Sequence, residues 1–190
     1  MRLDHIAYRT KDRKKTTQFF IDAFGYRVQQ EFQIEFSDGS TADCIALEPP
    51  EKLDTKMNGG SWSVICSVPF ASDKMSMLLE QEYHLAPEIF VSDGTPDSIV
   101  GKWVEARNGV GGIHHLAYQV DSVSETMQEW RGKGYAEFTT PDPLTCPGLT
   151  QVFTKPSELT GVIYEFIERG EHGFCKDNVK NLMESTKDDQ

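Results

Sequence analysis

Apolar residues gather in two similar runs, Leu3-Asp4-His5-Ile6-Ala7-Tyr8-Arg9 and Ile113-His114-His115-Leu116-Ala117-Tyr118-Gln119-Val120, and each predicts a strand. Both runs place His, an aliphatic residue, Ala and Tyr in the same order, so His5 corresponds to His115. The segments after the two runs are similar too. Asp12 as N-cap, an apolar stripe through Phe20, Ala23 and Phe24 and a stop at Gly25 predict a helix after the first strand. Asp121 or Ser122 caps the matching helix through Val123, Met127 and Trp130, and Gly134-Tyr135 matches Gly25-Tyr26.

Residues 27–36 and 41–47 then read as strands around the hairpin turn Ser37-Asp38-Gly39-Ser40. Pro49-Pro50 opens a charged loop that ends at Gly59-Gly60. Residues 61–68 read as a strand, and 74–83 fit helix and strand alike. Residues 87–91 predict a strand, followed by a turn at Asp93-Gly94 and a short helix over 98–107. In the second half, strands are expected at 136–139, 149–154 and 161–168, and Val179, Leu182 and Met183 give the tail helical spacing.

The expected fold is therefore α+β: two tandem β-α-β-β-β modules forming a cupped mixed sheet around a central cleft. Residues 1–95 make the first module with its insertion, 96–112 a linker, 113–170 the second module and 171–190 a C-terminal helix. The tail helix is expected to cap the second sheet or its cleft.

Composition narrows the function classes. The content of 38% hydrophobic and 26% charged residues is that of an ordinary folded protein. A formal charge of −11 argues against nucleic acid or an anionic membrane as the main partner. No apolar run approaches the ~20 residues of a spanning helix, and Met1 leads straight into a strand without a signal-peptide pattern, so the expected compartment is the cytoplasm. Cys44, Cys66, Cys146 and Cys175 show no Cys-x-x-Cys spacing and read as reduced thiols. The expected partners are a small-molecule substrate, with no nucleic acid and no membrane, and a homodimer as the candidate assembly.

The chemistry lies in the repeated strand. Side chains alternate faces with a period of two, so Leu3, His5 and Ala7 share one face and Ile113, His115 and Ala117 another. Paired around a pseudo-twofold axis, the two strands aim His5 and His115 into one cleft, and His114 then faces the opposite side, in packing or in support of a ligand. Glu165 interrupts the apolar run Val162-Ile163-Tyr164-Phe166-Ile167, where a carboxylate needs a cation or a strong donor. Two imidazoles and one carboxylate suit a divalent ion with open positions. Glu88, in Pro87-Glu88-Ile89-Phe90-Val91, parallels Glu165 and is a candidate fourth ligand, with a solvated Glu as the alternative. His84 and His172 have no counterpart in the repeat and read as surface or loop residues.

These features resemble the vicinal oxygen chelate superfamily, built from paired β-α-β-β-β modules around a metal site. Within it, the second half is similar to the C-terminal catalytic half of the 4-hydroxyphenylpyruvate dioxygenase family. The similarity is carried by Gly112-Ile113-His114-His115-Leu116-Ala117, Gln151-Val152-Phe153-Thr154-Lys155-Pro156, Tyr164-Glu165-Phe166-Ile167-Glu168-Arg169 and Gly173-Phe174-Cys175-Lys176-Asp177-Asn178-Val179-Lys180. The resemblance implies Fe(II) ligation by His5, His115 and Glu165 and oxidative decarboxylation of a chelating α-keto acid. It also implies substrate contacts from Gln151 and Phe153, and a gating tail helix at Asn178. Val179 stands where that family has a second stacking phenylalanine, a change worth about 0.5–1.5 kcal/mol of ring contact and enough to alter substrate preference. Cys175 and Asp177 replace tail glycines.

Residues Pro96 to Trp103, with Gly112-Ile113-His114-His115, also resemble methylmalonyl-CoA epimerase, which implies the alternative of an isomerase or lyase with a fourth protein ligand and a carboxylate base. A metal-free small-molecule binding protein is the third reading, and the presence of all three ligand types speaks against it.

Overall fold

The computed structural model describes residues 1–49, 86–170 and 173–187. The expected strand at 61–68, the two-way stretch at 74–83, Cys66, His84 and His172 lie outside them. The elements are β1 (Arg2–Thr10), α1 (Arg13–Phe24), β2 (Arg27–Glu35), β3 (Thr41–Glu48), β4 (Glu88–Gly94), α2 (Ile99–Glu105), β5 (Gly111–Gln119), α3 (Val123–Gly132), β6 (Leu144–Cys146), β7 (Leu149–Phe153), β8 (Ile163–Arg169) and α4 (Lys176–Ser185).

Local sequence explains most of these boundaries. Asp12 accepts a hydrogen bond from the Lys15 amide to start α1, and Gly25 ends it in the left-handed conformation that suits glycine. Ser98 caps α2 through the Gly101 amide, and Ser122 caps α3 through the Glu125 amide. At the start of β5, Gly111 has φ +82° and lies so close to β1 that a Cβ would meet the Arg9 carbonyl at 2.1 Å. Only glycine lets the two strands begin their pairing there.

All eight described strands form one mixed sheet in the order β2-β3-β4-β1-β5-β8-β7-β6. β1 runs parallel to β4 and β5 parallel to β8; the halves join where β1 and β5 pair antiparallel. This is the cupped α+β arrangement expected from the repeat. On the convex side α1 covers Tyr26, Ile45, Leu47, Ile89 and Val91, and α3 contributes Val123 and Met127 to a cluster with Val120, Val152 and Phe166. On the concave side β3 presents Ala42, Cys44 and Ala46, small side chains that leave room for Phe90, Phe174, Val179 and Met183. The tail helix α4 thus lies inside the cup, held between β2 and β6.

Three expectations change. The turn at Asp93-Gly94 is the end of β4, paired with Asp43 and Ala42, and the chain turns after Thr95 instead. The stretch 136–139 makes only the bridge Phe138–Thr154, because β6 takes the edge beside β7. The inward face of α1 carries Arg13, Thr17 and Phe20, while Ala23 is exposed and Phe24 is 56% exposed. Ion pairs from Arg13 to Glu31 on β2 and Asp93 on β4 set that rotation of the helix.

Candidate metal centre

Two β-bulges build the site. Along the β1–β5 ladder, Leu3 pairs with Tyr118 and His5 with Ala117, leaving Asp4 as the extra residue on β1; Ala7 pairs with His115 and Tyr8 with Ile113, leaving His114 as the extra residue on β5. A bulge resets which face a side chain takes. His114 therefore turns inward with His115, and Ile113 becomes 48% exposed. The alternation of Ile113, His115 and Ala117, and the outward position expected for His114, fail for this reason. The two bulged residues play matching parts. Asp4 Oδ1 lies 2.7 Å from His5 Nδ1, and His114 Nδ1 lies 2.9 Å from His115 Nδ1.

His5, His115 and Glu165 converge and are all buried. Glu165 Oε2 is 3.2 Å from His5 Nε2 and 3.0 Å from His115 Nε2, and the two Nε2 atoms are 3.3 Å apart. Two donors at right angles about 2.1 Å from one ion stand about 3.0 Å apart, and at the tetrahedral angle about 3.4 Å. The triangle therefore fits three ligands on one side of a single divalent ion, with donor types suited to that role. The residues behind the three donors are in place too. Asp4 holds His5 and is itself held by Arg169 at 2.6 Å, while Gln151 Nε2 donates to Glu165 Oε1.

The electrostatics show how the cluster balances its own charge. Burial works against a charge on His5, yet Glu165 and Asp4 outweigh it and raise the imidazole to about 9. Burial alone would raise Glu165, but His5 and His115 hold it well below the ordinary carboxylate range. His115 is lowered by burial, against the pull of Glu165. A proton on His5 thus neutralises the Glu165 carboxylate. In the metal-free fold, the raised His5 stabilises fully below about pH 6.5 and that contribution is lost as pH climbs through about 9. A metal must displace this proton, so at pH 7.5 about one proton per metal should be released, with affinity rising about tenfold per pH unit until about 9. Titration calorimetry in buffers of different ionisation enthalpy measures this directly; heats independent of buffer would show that His5 is already neutral.

Glu88 takes a different part. Its carboxylate meets Arg169 at 2.8 Å and Gln29 at 3.1 Å. The parallel ladders explain why: His5 pairs with Glu88 and Ala7 with Phe90, whereas His115 pairs with Ile163 and Ala117 with Glu165. Counting two residues beyond each histidine's partner, the counterpart of Glu165 is Phe90, and the counterpart of Glu88 is Ile163.

Around the triad is a small cavity, with about 20 Å³ open to the centre of a water molecule. Gln151 and Phe153 line it, and the Phe153 ring packs 4.6 Å from that of His115. Asn178 is buried on α4 and donates to the Leu144 carbonyl, while its neighbour Val179 lines the cavity with Leu182 and Met183. Asp4, Arg9, Ser92, His114 and Phe90 also belong to this region. Sequence reasoning passed over Asp4 and Arg9; for Arg9 the alternation from His5 through Ala7 was the available signal.

The ligand Nδ1 atoms give a direct test of the support. Asp4→Asn should lower metal affinity about 10–100-fold, because the carboxylate that orients and polarises His5 is lost. Metal titration of the folded variant measures the change; an affinity within twofold of the parent protein would remove Asp4 from the site.

Paired β-α-β sheet halves around a buried His-His-Glu cluster define a protein of the vicinal oxygen chelate class. The sequence matches the Glyoxalase/Bleomycin resistance protein/Dioxygenase superfamily over residues 4–145, and the chain belongs to that superfamily. No curated protein matches it. Among solved structures, a mutant of 4-hydroxymandelate synthase from Streptomyces coelicolor is similar at 19% identity with a TM-score of 0.69. The match covers 98% of this chain and 53% of that one, so the chain spans about half that enzyme's length. Methylmalonyl-CoA epimerase from Mycobacterium tuberculosis is similar at 18% identity and a TM-score of 0.58, covering 88% of this chain and 87% of its own. A second methylmalonyl-CoA epimerase, from Streptomyces coelicolor and in complex with 2-nitronate-propionyl-CoA, has 21% identity and a TM-score of 0.57, over 89% of this chain and 97% of that one. At these identities the likeness is one of fold.

Proposed function

We propose that this protein is a non-haem Fe(II) dioxygenase acting on an α-keto acid. The observation that carries the reading is Phe90. A four-ligand centre built on this repeat would place a ligand where the ladder register puts Phe90, opposite Glu165, and a phenyl ring cannot ligate. His5, His115 and Glu165 would hold the ion, leaving positions open for a bidentate substrate and dioxygen. When bound, Fe(II) supplies chelation of the keto acid and the redox chemistry with oxygen.

The chain's own residues do the rest. Asp4, anchored by Arg169, fixes the orientation of the His5 ring. Gln151 holds one oxygen of Glu165 through its amide nitrogen and keeps its buried carbonyl oxygen unpartnered among the described residues, available to a substrate donor. Phe153 forms an apolar wall beside His115, and Phe174, Leu182 and Met183 close the other side, excluding water. Asn178 ties α4 to β6 and so keeps that wall in place.

An epimerase would need a carboxylate base on the cavity wall. Among the described residues the only carboxylate there is Glu165. The proposed setting is the cytoplasm, with a small-molecule substrate; no described helix is long and apolar enough to cross a membrane.

The test is anaerobic Fe(II) titration with and without an α-keto acid. Visible charge-transfer absorption on adding the keto acid, followed in air by oxygen uptake and carbon dioxide release, is the expected result. Tight metal binding with neither response across a panel of keto acids would overturn the dioxygenase reading in favour of an isomerase or lyase.

A further inference from the structure

Arg9 has no part in the chemistry described so far, and its surroundings are unusual for a guanidinium. It is 2% exposed and lines the same cavity as the triad. It comes after His5 and Ala7 on the inward face of β1, about 13 Å further along the strand than His5 by ordinary strand spacing. Only Nη2 has a hydrogen-bond partner, Thr186 Oγ1 at 3.3 Å; Nε and Nη1 are buried without one among the described residues. The nearest aromatic face, Trp103, lies 5.8 Å from its Cζ. No described carboxylate pairs with it.

A buried charge without a counterion is strongly unfavourable, and arginine cannot escape the cost by losing its proton at neutral pH. The unpaired N–H bonds, one on Nε and two on Nη1, belong to a planar guanidinium whose edges match a carboxylate. We propose that Arg9 is a specificity residue that binds a second, distal carboxylate of the substrate, so that the substrate is a 2-oxo dicarboxylic acid. The charges agree: a divalent cation, the Glu165 carboxylate and the Arg9 guanidinium sum to +2, which a dianion neutralises and a monoanion does not. Ala7, the small residue between His5 and Arg9, leaves the lane between the two anchors open.

The inference rests on the keto-acid reading for the head of the substrate, and the test separates the two. The Fe(II)-loaded protein is titrated anaerobically with 2-oxoadipate and with 2-oxohexanoate, which has the same chain length and no distal acid, using the charge-transfer band. The diacid should bind about 30-fold tighter or better. Arg9→Met should abolish that preference while leaving the monoacid's affinity unreduced, and Arg9→Lys should retain part of it. Equal binding of the two acids to the parent protein, or a preference that survives in a folded Arg9→Met variant, overturns the proposal.

A parallel thermal-shift series uses glutarate and butyrate on the Zn(II)-loaded protein, which needs no keto-acid chemistry. Stabilisation by glutarate that Arg9→Met removes, with no charge-transfer band from any keto acid, leaves the anion site standing and sinks the dioxygenase reading. Failure of glutarate together with bands of equal affinity from both keto acids does the reverse.

Discussion

Replacing His115 with alanine is expected to lower Fe(II) affinity by more than about 100-fold, beyond what loss of a residue supporting a ligand would cost. The reason is that two of the three converging donors cannot close one side of an ion. The fold should survive: Glu165 keeps His5 at 3.2 Å and the Gln151 amide, so no buried carboxylate is left without a partner. His114→Ala is the informative companion. It leaves all three donors and removes only the ring that touches His115 Nδ1, so its loss should stay within about 10–100-fold. Metal titration monitored alongside circular dichroism distinguishes the two. Equal affinities for His115→Ala and the parent protein would show that the cluster is a buried hydrogen-bond network and holds no metal.

Phe90→Glu is expected to convert the centre from three protein ligands to four. Metal affinity should rise about tenfold, and keto-acid-dependent oxygen uptake should fall by about 100-fold or more, because a substrate needing two positions and oxygen needing one no longer fit together. The Phe90 ring packs 4.9 Å from Phe174 and 6.0 Å from Phe32, so its removal costs about 3–5 kcal/mol of core stability in the metal-free state. Phe90→Leu controls for that packing: it should be destabilised less than Phe90→Glu without metal and should keep most of the oxygen uptake. If Phe90→Glu and Phe90→Leu show the same affinity and the same uptake, residue 90 does not face the ion and the three-ligand argument fails.

Those two expectations differ in how they could be reached. The His115 assignment was legible in the repeat itself, since His5 and His115 occupy equivalent places in two similar strands and the β1–β5 pairing then brings them together. Glu165 was legible as a carboxylate stranded in an apolar strand. Phe90 was not legible. Pairing Glu88 with Glu165 on a short motif misses by two residues, and only the hydrogen-bonded register of β4 against β1 and of β8 against β5 shows it. A slip of two keeps the same face, so the hydrophobic pattern offers no warning.

His114 and the tail show the same division. The period of two holds only along an uninterrupted ladder, and the bulge at His114 reverses the facing of every residue before it relative to those after it. No residue type marks that bulge in the sequence. The helical spacing of Val179, Leu182 and Met183 announced α4, but where the helix docks depends on the small side chains of β3, more than a hundred residues away in the chain. Arg9 reads as an ordinary strand-end cation until α4 and α2 close over it.

By itself the sequence determined the duplicated strand-helix-strand plan, the helix cap at Asp12 and the three residues whose donors converge, because each depends on local periodicity or local hydrogen bonding. The tertiary structure alone decided that Asp4 and His114 stand behind the histidines, that Phe90 and not Glu88 is the register counterpart of Glu165, and that Arg9 lies buried without a counterion among the described residues. Those are matters of register, bulges and burial, and they exist only once distant strands have paired and the C-terminal helix has closed the cup.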